Sequence, residues 1–234
     1  MVSSLAALLV IVSMFLRLID STKFQFFGGS IERAATAEKV VALTFDDGPQ
    51  PGHTPATLKI LEQLGVKGTF YLEGQYIERY KQEARAIVAA GHQVGNHSYS
   101  HPTMVFKTRP FIRDQIDRTS ALIREIGYDG PMTFRPPYGK KFLYLPYYLK
   151  KQGVPTVLWD VEPEYYSKEP ASTRRTIEYT LSHVRPGSIV VLHAMNDSLG
   201  TKAALKPIVQ NLKNQGYSFV TINELLNYHN KKLP

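Results

Sequence analysis

The stretch VVALTFDDGPQPGHTP, residues 40–55, opens with six residues that read as a buried β-strand and then sets two carboxylates, Asp46 and Asp47, side by side ahead of Gly48-Pro49. An unbroken β-rich run closed by a turn signal reads as a strand covered on both faces, and such strands belong to parallel sheets. The run that follows, TPATLKILEQLG, reads as an amphipathic helix with Thr54 as N-cap, Pro55 at the first helical position and Gly65 as the stop. The same alternation continues outward. Further strand candidates lie at 68–72, 93–96, 133–135, 156–160, 188–193 and 218–222, with amphipathic runs such as YIERYKQEARAIVAAG and KAALKPIVQNLKNQG between them. Strict alternation predicts an α/β fold of parallel strands joined by right-handed crossovers. About seven units in about 195 residues fit a distorted, incomplete (β/α) barrel better than a full eight-unit one, with the site at the carboxyl ends of the strands.

Composition agrees with one such domain. A chain of 234 residues with 43% hydrophobic content can bury a single sizeable core. Cysteine is absent, so disulfides and thiolate metal sites are excluded and any metal must be held by His, Asp or Glu. The formal net charge is +8, and Arg17 cancels Asp20 within residues 1–20, so the excess belongs to the remainder. A basic exported domain suits anionic envelope polymers or membrane surfaces. Its Lys and Arg are dispersed and carry no nucleic-acid-binding motif, so nucleic acid is not an expected partner, and no protein partner is implied.

Residues 5–16, LAALLVIVSMFL, are apolar apart from Ser13, long enough for the core of an export signal but short of the roughly 20 residues of a typical spanning helix. No Lys or Arg precedes the run and no small-x-small cleavage site follows. Residues 1–20 are therefore expected to be either a cleaved signal peptide, giving a secreted or periplasmic protein, or an uncleaved anchor at the cell envelope. A helix packed on the domain, with KFQFF beside it, is the third reading. Residues 21–38 read as a lead-in and 39–234 as the main domain.

The unusual residues fall at strand ends. Asp46-Asp47 follow the first strand, His97 and His101 follow QVGN, Arg135 ends MTF, Trp159, Asp160 and Glu162 close TVLW, and His193 closes IVVL. Each has an ordinary explanation alone. DDGP is a good turn, HSYSH can be surface histidines, Arg135 an ion pair, His193 a satisfied buried histidine and Tyr138 in RPPYG packing. In a parallel barrel, however, the carboxyl ends of all strands open on one face, so these clusters converge. Gly91, Gly95 and Pro102 leave room for about one helical turn around HSYSH, so its spacing reads as a turn aiming both imidazoles one way. Two histidines and one carboxylate make three ligands and leave an open position, a catalytic rather than a structural arrangement. Nitrogen and oxygen donors suit zinc, with cobalt or nickel as alternatives. One of Asp46 and Asp47 can then ligate while the other serves as base, held ionised by Arg135.

TFDDGP, HSYSH, RPPYG, LWDVEPEYY and IVVLH together resemble the five ordered motifs of the NodB-homology polysaccharide deacetylases, carbohydrate esterase family 4, over residues 39–228. The resemblance implies a distorted (β/α) barrel, a divalent metal and removal of acetyl groups from sugar polymers. Carried over position by position, Asp46 resembles the catalytic base, Asp47, His97 and His101 the metal ligands, and Arg135 the residue that orients the base. Tyr138 resembles the backbone N–H donor to the oxyanion, with Pro137 beside it against the substrate, His193 the general acid, and Leu192 a wall of the acetyl-methyl pocket. The fourth motif departs: the family's Asp-x-x-Asp-Trp reads here as Glu162-Pro163-Glu164-Tyr165-Tyr166. Glu162 is expected to replace the carboxylate that tunes the general acid, and Tyr166 the pocket Trp. The expected activity is metal-dependent deacetylation of N-acetylated amino sugars in an exported or envelope glycan. The alternatives are O-acetyl ester hydrolysis of the acetylxylan type and a catalytically silent glycan-binding homologue.

Overall fold

The computed structural model describes residues 2–164, 172–195 and 199–230. Helix α1 (Val2–Asp20) leads into strand β1 (Ser30–Ile31) and then β2 (Val40–Asp46), α2 (His53–Leu64), β3 (Thr69–Leu72), α3 (Gly74–Arg79), α4 (Lys81–Ala89) and β4 (Gln93–Asn96). Helix α5 (Arg109–Glu125), a 3₁₀ turn at Pro137–Gly139, α6 (Tyr144–Lys151), β5 (Thr156–Val157) and α7 (Thr173–His183) follow, then β6 (Ser188–Leu192), α8 (Leu199–Asn214), β7 (Ser218–Phe219) and α9 (Ile222–Asn230).

Among the described residues every pairing between strands is parallel, and only the isolated bridge of Arg33 to Ser188 is antiparallel. β2 is central: β6 runs along one edge, and β7 and then β3 share the other, with β4 beyond β3. From β4 the curve passes through one-residue bridges, Asn96 to Phe134 and Phe134 to Thr156, and Val161 bridges Val190 on β6. Continuous ladders therefore cover only part of the circuit, which makes the barrel distorted and incomplete. The expected strand at 133–135 contracts to the single bridging residue Phe134, and 156–160 ends at Val157, where the chain leaves the ladder. In their place the lead-in contributes β1, whose Ser30 and Ile31 pair with Thr156 and Val157.

All seven residues of β2 are buried, as its composition demands. Successive side chains on a strand point to opposite faces. Val41, Leu43 and Phe45 thus pack outward with Leu61 of α2 and Leu205, Ile208 and Leu212 of α8, while Val40 and Ala42 join Val157 and Ile189 in a second cluster. The same alternation puts Thr44 and Asp46 on the face of Val40 and Ala42. Helix α2 begins one residue before the expected cap, with Gly52 at the N-cap position, because Thr54 Oγ1 accepts instead from Gln50 N. Gly65 ends it in the left-handed conformation, as read from the sequence.

The end of α1 lies on the domain: Ile19 is buried, and the Phe15 ring meets Phe106 and Phe142. Among the described residues no helix is long and apolar enough to cross a membrane.

Candidate active site

The turn after β2 shapes the mouth. Asp47 (φ 68°) and Gly48 (φ 69°) are both left-handed, which swings Asp47 out of the strand to the same opening that Asp46 reaches from the strand face. His97 reports the convergence, its Nε2 lying 3.7 Å from Asp46 Oδ2 and 3.8 Å from Asp47 Oδ1. HSYSH is a turn, with Ser98 and His101 at positive φ, and it brings His101 Nε2 to 3.2 Å from His97 Nε2 and 3.6 Å from Asp47 Oδ1. A tetrahedral cation about 2.1 Å from each ligand needs ligand atoms about 3.4 Å apart, which these separations bracket. The imidazoles are prepared for the task. His97 Nδ1 lies 2.8 Å from Arg135 O, the contact that leaves Nε2 as the ligating nitrogen. Burial, followed by the neighbouring His97, pushes the His101 pKa down to about 4, so its ring is neutral. Asp47, His97 and His101 therefore form a donor set that fits a divalent cation.

Beside this set lies a buried ion pair. Arg135, fully buried, donates from Nη1 to Asp46 Oδ1 at 2.6 Å and to Thr44 Oγ1 at 2.7 Å, and from Nη2 and Nε to the carbonyls of Leu158 and Val157. Its guanidinium also lies 4.1 Å from the Tyr71 ring centroid. Gly95 makes room for that ring, since a Cβ there would come within 2.4 Å of Tyr71. Burial drives the Asp46 pKa upward, but Arg135 chiefly, with His97 and His193, outweighs it and holds the carboxyl below its ordinary value.

On the neighbouring strand His193 follows β6. Leu192, expected to wall the acetyl-methyl pocket, instead points outward: it is fully buried, in register with Phe45 and packed in the outer cluster with it, because side chains alternate faces along the strand. The His193 Nδ1 contacts Glu164 Oε2, whose carboxylate also accepts from His193 N and from Thr201 Oγ1. Burial lowers the His193 pKa, yet the hydrogen bond and charge of Glu164 overcome it and raise the value to about 9. This corrects the sequence expectation. Glu162 is not the residue on His193; its Oε2 accepts from Trp159 Nε1 at 2.8 Å, and burial raises its pKa. The carboxylate beside His193 is that of Glu164, two residues on past Pro163. Pro137, buried, and Tyr138, exposed, sit in the 3₁₀ turn, with Tyr138 at φ 60° and its ring edge-on to His101. Tyr166, expected in the acyl pocket, lies outside the described residues.

The sequence profile described as polysaccharide deacetylase matches residues 33–157. The chain belongs to the polysaccharide deacetylase family. This deacetylase-family chain is 31% identical over 201 residues to the peptidoglycan-N-acetylmuramic acid deacetylase PdaA of Bacillus subtilis, covering 85% of the present chain and 76% of that protein. It is 33% identical over 192 residues to a peptidoglycan-N-acetylglucosamine deacetylase of Bacillus cereus, covering 82% and 90%. Among solved structures, the Bc1960 peptidoglycan N-acetylglucosamine deacetylase superposes with a TM-score of 0.79 at 31% identity, over 84% of this chain and 92% of that one. One residue beside the Glu164–His193 pair, Thr201, escaped the sequence reading, and Trp159, marked there only by its place at a strand end, was not assigned a partner. Thr201 lies in an amphipathic helix with nothing in its pattern to mark it, and Trp159 proves to be the partner of Glu162. The five motifs could have exposed Glu164 only through the departure in the fourth.

Proposed function

We propose that this polysaccharide deacetylase hydrolyses the acetamido group of N-acetylated amino sugars in a cell-envelope glycan, with Asp47, His97 and His101 holding a divalent cation, most simply zinc. The observation that carries the reading is the placement of a buried carboxylate–arginine pair and a carboxylate–histidine pair on either side of that donor set. The cation, when bound, supplies Lewis acidity toward the acetyl carbonyl and lowers the pKa of a water toward about 7. Asp46, kept ionised by Arg135, accepts the proton of the attacking water. The Tyr138 N–H donates to the oxygen that gains charge. His193, protonated up to about pH 9, gives its proton to the amine nitrogen as the C–N bond breaks and acetate departs.

The relatives act on peptidoglycan by their names, which supports an envelope substrate and an extracytoplasmic site of action. We further propose that residues 1–20 direct export; fractionation that left the chain in the cytoplasm would remove that part. None of the described helices is long and apolar enough to span a membrane. The deciding experiment measures acetate release from N-acetylglucosamine oligomers, peptidoglycan and acetylated xylan after chelation and again after adding zinc, cobalt or nickel. Release from amino-sugar substrates, lost on chelation and restored by metal, is expected. Release from xylan alone would make the enzyme an ester hydrolase, and no release from any substrate would make it a binding homologue.

A further inference from the structure

A groove of about 830 Å³ opens beside the site, and its two ends are built from distant parts of the chain. At the inner end stand Tyr138, Trp159 and Glu162; at the outer end stand Asp20, Thr22 and Glu32, from the segment that the sequence assigns to the export signal and lead-in. That volume lies toward the upper end of the roughly 300–1,000 Å³ that holds a drug-sized ligand, more than an acetyl group needs.

The outer wall is fixed rather than draped. Lys141, almost fully buried, donates from Nζ to Ser21 O and from its backbone N to Ile19 O at 3.3 Å, and the neighbouring Lys140 lies 3.6 Å from Asp20. Thr22 Oγ1 donates to Glu32 Oε2 at 2.9 Å, Ser30 Oγ donates to Thr22 O at 2.9 Å, and Ser30 itself is a strand residue paired with Thr156. Lys140 and Lys141 continue directly from the turn that carries Tyr138. We propose that residues 19–32 form a wall of the substrate cleft that binds glycan units flanking the one deacetylated, and that Lys141 fastens this wall to the Tyr138 turn. Every basic residue along the groove is matched to a carboxylate: Lys140 with Asp20, Lys23 with Glu32 at 3.9 Å, Arg185 with Asp160 at 3.5 Å; the remaining carboxylate, Glu162, accepts from Trp159 Nε1. A locally balanced polar lining suits uncharged hydroxyl and acetamido groups, so the flanking units are neutral sugars rather than a polyanion.

This inference rests on the glycan reading above, and its test separates the two. In the full chain, Thr22→Trp adds an indole to the wall and Lys141→Met removes the fastening. For each, kcat/KM is compared between an N-acetylglucosamine pentamer and 4-nitrophenyl acetate, a probe too short to reach residue 22. The pentamer-to-ester ratio should fall about tenfold in both variants, through KM for the pentamer. Pentamer binding to the metal-free chain, measured by calorimetry, should weaken by the same factor and reads the wall independently of hydrolysis. Tenfold weaker binding by Thr22→Trp in a chain that deacetylates nothing would uphold the wall and overturn the enzymatic reading. An active parent whose ratio and pentamer affinity are both unmoved by Thr22→Trp would overturn the wall. Lys141→Met that unfolds leaves Thr22→Trp to decide.

Discussion

The two halves of the active site are both a carboxylate against a cation, wired in opposite senses. On the Asp46 side the cation is permanent: Arg135 cannot give up its proton, and its fork is held by Thr44 and two backbone carbonyls, so the carboxylate is the member that is tuned. On the His193 side the carboxylate is the fixture. Glu164 is itself held ionised below its ordinary pKa, against the opposing effect of burial, by His193 and Thr201, and the imidazole is tuned upward. One pair holds a carboxylate deprotonated and the other holds an imidazole protonated, the states that the proposed base and acid require. The difference shows how a single mouth keeps both forms present at neutral pH.

The most direct way to break this comparison is to neutralise the tuned carboxylate. Asp46→Asn should reduce kcat by about 10³-fold, the range of a lost general base, while metal analysis finds the cation retained. Asp47→Ala should instead lose the metal. A metal-free Asp46→Asn protein would exchange the two assignments. Asp46→Asn should also melt earlier, because it leaves a buried guanidinium uncompensated.

The fixture on the other side comes next. Glu164→Gln removes the charge that raises His193, so the alkaline limb of the kcat/KM profile should move from near pH 9 to lower pH by roughly two units, the scale of a lost close ion pair. The acidic limb should move far less. The linked stability follows the same sign. Since the folded His193 pKa exceeds its ordinary 6.5, the pair's contribution is complete below that value and lost as pH rises through about 9, and thermal melts of Glu164→Gln should lack this alkaline decline. An alkaline limb that stayed in place would return the tuning role to another carboxylate.

The smallest effect is expected from Glu162→Gln, which sharpens the comparison by what it spares. Trp159 Nε1 keeps an acceptor, His193 keeps Glu164, and the alkaline limb should stay within a few tenths of a pH unit of the parent. A shift equal to that of Glu164→Gln would show that the two glutamates share the histidine.

These halves also differ in how openly the sequence announced them. β2, β3 and β6 carry their own apolar runs and β4 follows the break at Gly91, so these strands are legible within a residue or two, and Asp46, His97 and His193 can be located from their ends. β1 cannot, because two residues have no period and depend on Thr156 and Val157 for their pairing. The strand expected at 133–135 failed for a related reason: Phe134 bridges two neighbours singly, so no ladder forms. In the acid half, Glu162 and Glu164 flank Pro163, and no local pattern states which carboxylate turns toward a histidine twenty-nine residues on. That choice is made by Trp159 and Thr201, each of which captures one of the two glutamates.

Arg135 has a consequence for how such a chain can change over generations. It joins β2 to the segment after β5 through side chain and carbonyl partners, across the part of the circuit where ladders are missing. A drifting lineage that lost the need for hydrolysis could not discard Asp46 freely, since stranding a buried cation costs about 3–5 kcal/mol out of a typical total of about 5–15. Selection for a folded protein alone thus shelters Asp46. Loss of function in this scaffold should begin at Asp47 and His101, which are only partly buried, rather than at His97, whose buried ring also bonds the Arg135 carbonyl.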